Sequence, residues 1–131
     1  MNKTPKITIH QPTQLLFYVA AHSPTLREFF GIEITDWESY KFQLTDIHRP
    51  WLISDPETPT KCRFDADIFA LRLGTCRAER QRWLVLWILN VWSPGESKRK
   101  GWEFDLFSAL VSLDSENRQA IAWWLDNPLW P

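Results

Sequence analysis

Residues 83–92 read Trp-Leu-Val-Leu-Trp-Ile-Leu-Asn-Val-Trp, and this run decides the fold class because it is the most apolar stretch of the chain. It is apolar on every side, so periodicity does not separate a buried helix from a buried strand. The preceding residues 77–82 contain no β-branched residue, glycine or proline, which favours a helix. We therefore predict a helix over residues 76–92 at the centre of a bundle, the place of a helix without a polar face. The alternative is an α+β fold with a hairpin in residues 83–113, turning at Ser93-Pro94-Gly95.

Helix start and stop signals lie on the N-terminal side of this run. Ser23-Pro24 offers an N-cap followed by a proline at the first helical position, and Gly31 can end that helix. Thr25 with Glu28 and Thr35 with Glu38 have the spacing of capping boxes. The second box opens a segment whose large apolar residues recur at helical intervals, namely Trp37, Tyr40, Leu44 and Ile47. We predict helices over residues 12–21, after Pro24 and after Thr35.

Similar signals punctuate the C-terminal half. Residues 65–73 suggest a helix closed by Gly74, and Thr75 can cap the central helix. A basic loop at residues 98–100 should lead to a helix over 102–113, in which Phe104, Phe107, Leu110 and Val111 keep helical spacing. Asp114 or Ser115 can cap a last helix that ends before Pro128.

The whole chain reads as one helical domain over residues 1–131. Residues 1–11 form an arm and residues 53–61 a proline-containing loop. We predict an all-α orthogonal or irregular bundle of six to seven helices.

The composition fits such a domain. A chain of 131 residues with 44% hydrophobic residues can bury its own core. Nine Trp and eight Phe predict a bulky core, or else rings that form an interface or a ligand wall. The apolar run at 83–92 is half the length that a bilayer requires, so no membrane segment is expected. Two cysteines, Cys62 and Cys76, are too few for a disulfide framework, which predicts reduced thiols and a cytoplasmic location.

The residues that usually reveal an enzyme are missing from the sequence. It has no glycine-rich phosphate loop, no G-x-S-x-G and no H-E-x-x-H. His10, His22 and His48 have no second ligand at metal-binding spacing. Asp65 and Asp67 form a D-x-D pair that either binds Mg²⁺ or balances a helix dipole. We predict no catalytic residues, no cofactor and no metal, and we keep an unfamiliar site around Asp65, Asp67 and His48 as a minor alternative.

Charge is distributed unevenly. Residues 61–100 carry nine basic and four acidic residues, whereas the rest of the chain carries six basic and twelve acidic ones. A near-neutral total therefore hides a basic middle segment. Such a segment forms a nucleic-acid surface, meets an acidic protein partner, or pairs internally with the acidic flanks.

Residues 69–84 read Phe-Ala-Leu-Arg-Leu-Gly-Thr-Cys-Arg-Ala-Glu-Arg-Gln-Arg-Trp-Leu. The positions of Ala70, Gly74 and Trp83 resemble the helix-turn-helix of phage-repressor-like DNA-binding proteins. The resemblance implies a recognition helix at residues 76–84 that presents its Arg and Gln side chains to a major groove. Arg80 departs from the family pattern, which has a buried aliphatic residue at that position.

We therefore expect a non-enzymatic binding protein that acts through protein–protein contact, a description that covers inhibitors, immunity or anti-defence proteins and complex subunits. A nucleic-acid-binding protein that uses segment 69–84 is the alternative, and a homo-oligomer remains open. Arginine and aromatic residues are favoured at interface hot spots. Four tryptophans lie at or beyond predicted helix ends, where we expect rings to be left partly exposed: Trp51, Trp92, Trp102 and Trp130. The expected contact residues are Arg77, Arg80, Arg82, Lys98, Arg99, Lys100, Trp51, Trp102 and Trp130.

Overall fold

The computed structural model describes residues 8–36, 41–44, 49–54, 57 and 61–128. In these residues the chain is mostly helical, which confirms the predicted fold class, and short strands accompany the helices. In chain order the elements are β1 (Thr8–Ile9), α1 (Gln11–Ala20), α2 (Pro24–Phe30), β2 (Ile32–Asp36), β3 (Lys41–Leu44), β4 (Leu52–Ser54), β5 (Lys61–Phe64), α3 (Ala66–Ala70), a 3-10 helix (Leu71–Thr75), α4 (Glu79–Trp92), α5 (Pro94–Lys100), α6 (Leu106–Ser112) and α7 (Ser115–Asp126).

The apolar run lies in α4, the central helix of the fold. Residues 84–89 are buried, and α4 contacts α1, α3, α5 and α6. This confirms the helix predicted for residues 83–92 and excludes the hairpin alternative. The helix begins at Glu79 instead of residue 76, because Cys76 and Ala78 have extended backbone. Thr75 is not its N-cap, since the Thr75 hydroxyl donates to the Arg72 carbonyl oxygen, 2.9 Å away.

Several predicted caps are present. The Ser23 hydroxyl accepts a hydrogen bond from the Leu26 N–H, and Gly31 ends α2 in the left-handed region at φ 64°. Because the N-cap of α2 is Ser23, Thr25 lies inside the helix and is not its cap. Asp114 caps α7 by accepting from the Asn117 N–H.

Two segments differ from the helical prediction. The helix predicted after Thr35 is wrong, because β2 and β3 form an antiparallel pair with Ile32 opposite Leu44. The β-branched residues Ile32 and Ile34 favour this extended backbone once Gly31 has ended α2. Residues 37–40 and 45–48 of the predicted helix lie outside the described residues.

A three-stranded sheet forms where an arm and a loop were expected. Its order is β1-β5-β4, with β1 parallel and β4 antiparallel to β5. Residues 8–9 of the arm are extended, but α1 begins at Gln11, inside the predicted arm. Both ends of the predicted loop 53–61 belong to strands, and within the loop residues 55–56 and 58–60 lie outside the described part.

The basic loop predicted at residues 98–100 is helical. Pro94 at the first turn of α5, the i,i+3 pair Glu96–Arg99 and a left-handed Gly101 at φ 74° explain this helix. The next helix, α6, starts at Leu106 instead of residue 102. The chain before α6 is not helical, and the Asn90 side-chain amide donates to the Trp102 carbonyl oxygen, 2.8 Å away.

An aromatic cluster fills the core beside α4. The ring of Phe30 lies 5.0 Å from Phe17 and stacks on Phe69 at 5.1 Å between centroids. The ring of Trp51 meets Phe69 edge-on at 5.5 Å, and Phe64 meets Phe69 at 5.2 Å. All five side chains are buried, as a chain rich in Trp and Phe requires.

Candidate functional site

A groove runs between α4, α5 and the non-helical residues 102–105. Its volume is about 440 Å³, and its lining residues are Arg82, Trp83, Asn90, Lys98, Trp102, Glu103, Phe104 and Asp105. Three residues from the sequence-predicted contact set therefore come together here. Aromatic residues and arginine are enriched in protein interfaces, and this groove presents three aromatic residues and Arg82.

The basic residues of α5 have different surroundings. Lys98 is exposed on the groove, whereas Arg99 forms an ion pair with Glu96 on the same helix. Lys100 pairs with Asp67 and lies 5.2 Å from the centroid of the Trp102 ring. The hydrogen bond that Lys100 donates to Asp67 raises the pKa of Lys100, and the hydrogen bond that Arg99 donates to Glu96 lowers the pKa of Glu96. The end of α5 is thus partly neutralised within the fold.

The three arginines at the start of α4 are exposed. Arg77, Arg80 and Arg82 have no ion pair with any residue that the structure describes, and the guanidinium of Arg82 lies 5.6 Å from the Trp83 ring centroid. The backbone N–H of Arg77 donates to Gln81 Oε1, 3.0 Å away. Within the described ranges, no acidic residue of the flanking segments forms an ion pair with these three arginines, so their charges stay exposed.

The helix-turn-helix-like segment adopts a different layout from the one the resemblance implies. Gly74 lies inside the 3-10 helix, not in a turn between two α-helices. The second helix starts at Glu79, so Arg77 precedes it. Arg80 is exposed, so it does not pack two helices together as the aliphatic residue of the family pattern does.

The tryptophans predicted to be partly exposed fall into three groups. Trp51 is only 2% exposed, so that expectation was wrong: Phe30 and Phe69 pack against its ring. Trp92 and Trp102 are half-buried, and the ring of Trp92 meets Phe64 at 5.0 Å. Trp130 lies outside the described residues.

Helix α6 carries a feature that sequence reasoning missed. Phe107 is 79% exposed and Val111 is 89% exposed, whereas Ala109 and Leu113 are buried against the core. Positions 107 and 111 are four residues apart and lie on one face of the helix. Residues 106–113 contain no charged residue, and this uncharged run was the sequence feature that could have indicated an exposed apolar face. The helical spacing of Phe107 and Val111 was noted, but spacing alone does not say which face of the helix is buried.

The D-x-D pair has a structural role. One carboxylate oxygen of Asp65 accepts from the Ile68 N–H at 2.9 Å and caps α3. Asp67 follows in the first turn and pairs with Lys100. In the part of the chain that the structure describes, no three His, Cys, Asp or Glu residues form a group that could hold a metal ion.

The two described histidines are engaged in local contacts. The Nδ1 atom of His10 lies 3.3 Å from the Thr13 hydroxyl, and Nδ1 of His22 lies 3.0 Å from the Tyr18 carbonyl oxygen. Cys62 and Cys76 are free thiols, and burial raises the pKa of Cys76. His48 is outside the described residues.

No helix among residues 8–36 and 61–128 has both the length and the apolar character that spanning a bilayer requires. Comparisons with protein-family models, with curated proteins and with solved structures gave no match for this chain.

Proposed function

We propose that this chain is a non-enzymatic binding protein whose interface is the outer face of α6. The observation that carries the proposal is the exposure of Phe107 and Val111 on a helix without a charged residue. Large apolar side chains that are exposed side by side mark a surface for binding another molecule. The inner face of α6 packs against α4, and its outer face is open to a second molecule.

The gain from covering this face is substantial. Complete burial of a Phe or a Val side chain is worth roughly 1.5–3 kcal/mol each. Aromatic residues at the centre of a contact patch are typical binding hot spots. Leu106, 36% exposed, extends the patch beyond Phe107 and Val111.

The charges around α6 indicate the chemistry of the partner. Residues 101–117 include four acidic and no basic residues, and the acidic ones flank the helix at both ends. All four are exposed: Glu103, Asp105, Asp114 and Glu116. A second copy of this chain would place acidic ends against acidic ends in either two-fold orientation, because such an interface is self-complementary. The charges favour a different protein, with apolar side chains at the centre of its contact surface and basic residues around them.

The experiment is stoichiometric co-purification from the native host. The wild type should retain a partner, and the Phe107→Ser/Val111→Ser double variant should lose it. Leu71→Ser is the matched control, because Leu71 is 72% exposed but lies on the 3-10 helix, away from α6. Glu103→Lys/Glu116→Lys should weaken the complex, since these charges face the basic rim of the partner.

Equal retention by the wild type and the double variant would refute the α6 interface. A complex that consists only of two copies of this chain, measured by light scattering, would refute the basic partner.

A second candidate function is nucleic-acid binding at the start of α4. The observation that favours it is the set of exposed arginines Arg77, Arg80 and Arg82, which have no ion pair within the described residues. If all three contact phosphates, the triple Ala variant should flatten the slope of log K against log salt by roughly 0.9 per lost contact.

We expect negligible affinity for random-sequence duplex DNA and RNA in both proteins. The net charge of −1 and the exposed position of Arg80 both argue against a DNA-reading helix. Micromolar binding by the wild type that weakens steeply with salt and vanishes in the variant would make nucleic-acid binding the primary function.

A further inference from the structure

The groove between α4, α5 and residues 102–105 has room for a short chain segment. Its volume of about 440 Å³ lies within the ~300–1,000 Å³ of pockets that hold drug-sized ligands. Its lining residues on α4 extend from Arg82 to Asn90. The helix rises roughly 12 Å between these two positions, about the length of four residues of an extended peptide.

Three half-buried aromatic side chains form the apolar part of the lining: Trp83, Trp102 and Phe104. The rings of Trp83 and Phe104 meet edge to face, 6.0 Å between centroids. Trp102 is tied to α4, because the Asn90 side-chain amide donates to the carbonyl oxygens of Leu86 and Trp102 at 2.8 Å each. A ligand side chain can therefore pack on rings that the fold already holds in place, which lowers the entropy cost of binding.

The backbone beside these rings carries unused hydrogen-bonding groups. Among the described residues, none forms a hydrogen bond with the backbone N–H or C=O of Glu103 or Phe104, whereas the backbone N–H of Trp102 donates within the fold. The backbone of Asp105 is extended, at φ −111° and ψ 113°. Extended peptides bind by pairing their main chain with free backbone groups while pockets take alternate side chains. A peptide uses both the backbone groups and the aromatic wall of this groove.

The charges at the groove indicate the sign of the ligand. Arg82 and Lys98 are exposed and form no ion pair with any residue that the structure describes, and the same holds for Glu103. The carboxylate of Asp105 is occupied, because its oxygens accept hydrogen bonds from two groups of α6 at 3.1 and 2.6 Å. Two unpaired cations against one unpaired anion favour an acidic ligand.

We propose that this groove binds an extended peptide segment of a protein partner, in which an acidic residue stands beside an aromatic or large aliphatic one. The main chain of the segment pairs with residues 103–104, the apolar side chain packs on the aromatic wall, and the carboxylate meets Arg82 and Lys98. The proposal does not rest on the α6 interface. The two surfaces favour ligands of opposite charge, so we expect them to take different segments.

The test is binding of a library of capped tetrapeptides to the full chain, measured by fluorescence polarisation. Each position of the library is Glu, Lys, Phe or Ser. The peptides that bind saturably should combine Glu with Phe, and peptides that combine Lys with Phe should not bind. N-methylation of a backbone amide in the tightest peptide should weaken binding severalfold, because it removes a main-chain donor.

Substitutions of exposed residues test the charges without disturbing the core. Arg82→Gln and Lys98→Gln should each weaken binding of the tightest peptide about two- to fivefold, the range of an exposed ion pair. Arg80→Gln is the matched control: it removes the same charge from an exposed residue of α4 that does not line the groove, and binding should be unchanged. Glu103→Gln should tighten binding, because it removes the opposing charge.

The α6 variant separates this proposal from the function proposed above. Phe107→Ser/Val111→Ser should leave peptide binding unchanged, so either proposal can fail while the other stands. Absence of any saturable peptide, a preference for Lys with Phe, or equal losses in Arg80→Gln and Arg82→Gln would overturn the peptide groove. Saturable binding of adenosine monophosphate without peptide binding would also overturn it and would assign the groove to a nucleotide.

Discussion

Asn117 joins two distant parts of the helical core, and its removal should be costly. The side chain is only 3% exposed, on the first turn of α7. Its Oδ1 atom accepts from the Ser23 hydroxyl at 2.6 Å and from the Thr25 N–H at 3.1 Å. Its Nδ2 group donates to the Asp114 carboxylate at 2.9 Å. One amide therefore connects the start of α7 to the start of α2.

The cost of Asn117→Ala follows from the donors that it leaves without an acceptor. An unsatisfied buried donor costs about 1–3 kcal/mol. The Ser23 hydroxyl is fully buried and falls toward the upper end of that range, whereas Thr25 is half-buried and falls toward the lower end. We expect Asn117→Ala to lower the free energy of unfolding by about 2–4 kcal/mol.

The assay is urea denaturation followed by far-ultraviolet circular dichroism. Gln119→Ala is the control, because Gln119 is exposed on the same helix and its loss should cost about 0.5 kcal/mol or less. Asn117→Asp keeps the acceptor oxygen but places a second carboxylate beside Asp114. That variant should be destabilised at neutral pH, because two neighbouring carboxylates repel each other. If Asn117→Ala costs no more than Gln119→Ala, the assigned hydrogen bonds do not stabilise the fold.

Three further predictions concern other parts of the fold. Burial lowers the pKa of His22 below its ordinary value of 6.5, so the unfolded chain takes up the proton first. The free energy of unfolding should be at its full value above pH 6.5 and should fall as the pH drops from 6.5 toward the folded-state pKa. Denaturation at a series of pH values measures this decrease, and the decrease should be absent in His22→Phe. Asp65→Ala should cost about 1 kcal/mol in urea denaturation, since it removes the cap on the Ile68 N–H, whereas Asp65→Asn should cost a few tenths. Phe107→Ser/Val111→Ser should change the free energy of unfolding by about 0.5 kcal/mol or less, because both side chains are exposed in the free chain, and a loss of several kcal/mol would mean that they are packed.

Local signals in the sequence were enough to place much of the helical structure. Ser23 and Asp114 cap their helices through backbone N–H groups only three residues away, and Gly31 ends α2 by its own backbone conformation. The central helix could be placed from the absence of a breaker before Trp83. Interactions of this range depend on neighbouring residues alone, so they can be inferred before the fold is known.

Only the tertiary structure decided which surfaces face outward. Residues 32–36 and 41–44 form an antiparallel pair of strands, and this pairing outweighs the spacing that predicted a helix after Thr35. Trp51 lies where an exposed ring was expected, but aromatic residues from α2 and α3 cover it. Phe107 and Val111 have the spacing of a buried face, yet α4 packs against the opposite side of α6, on which Ala109 lies. Burial depends on contacts between distant parts of the chain, and no local pattern in the sequence records them.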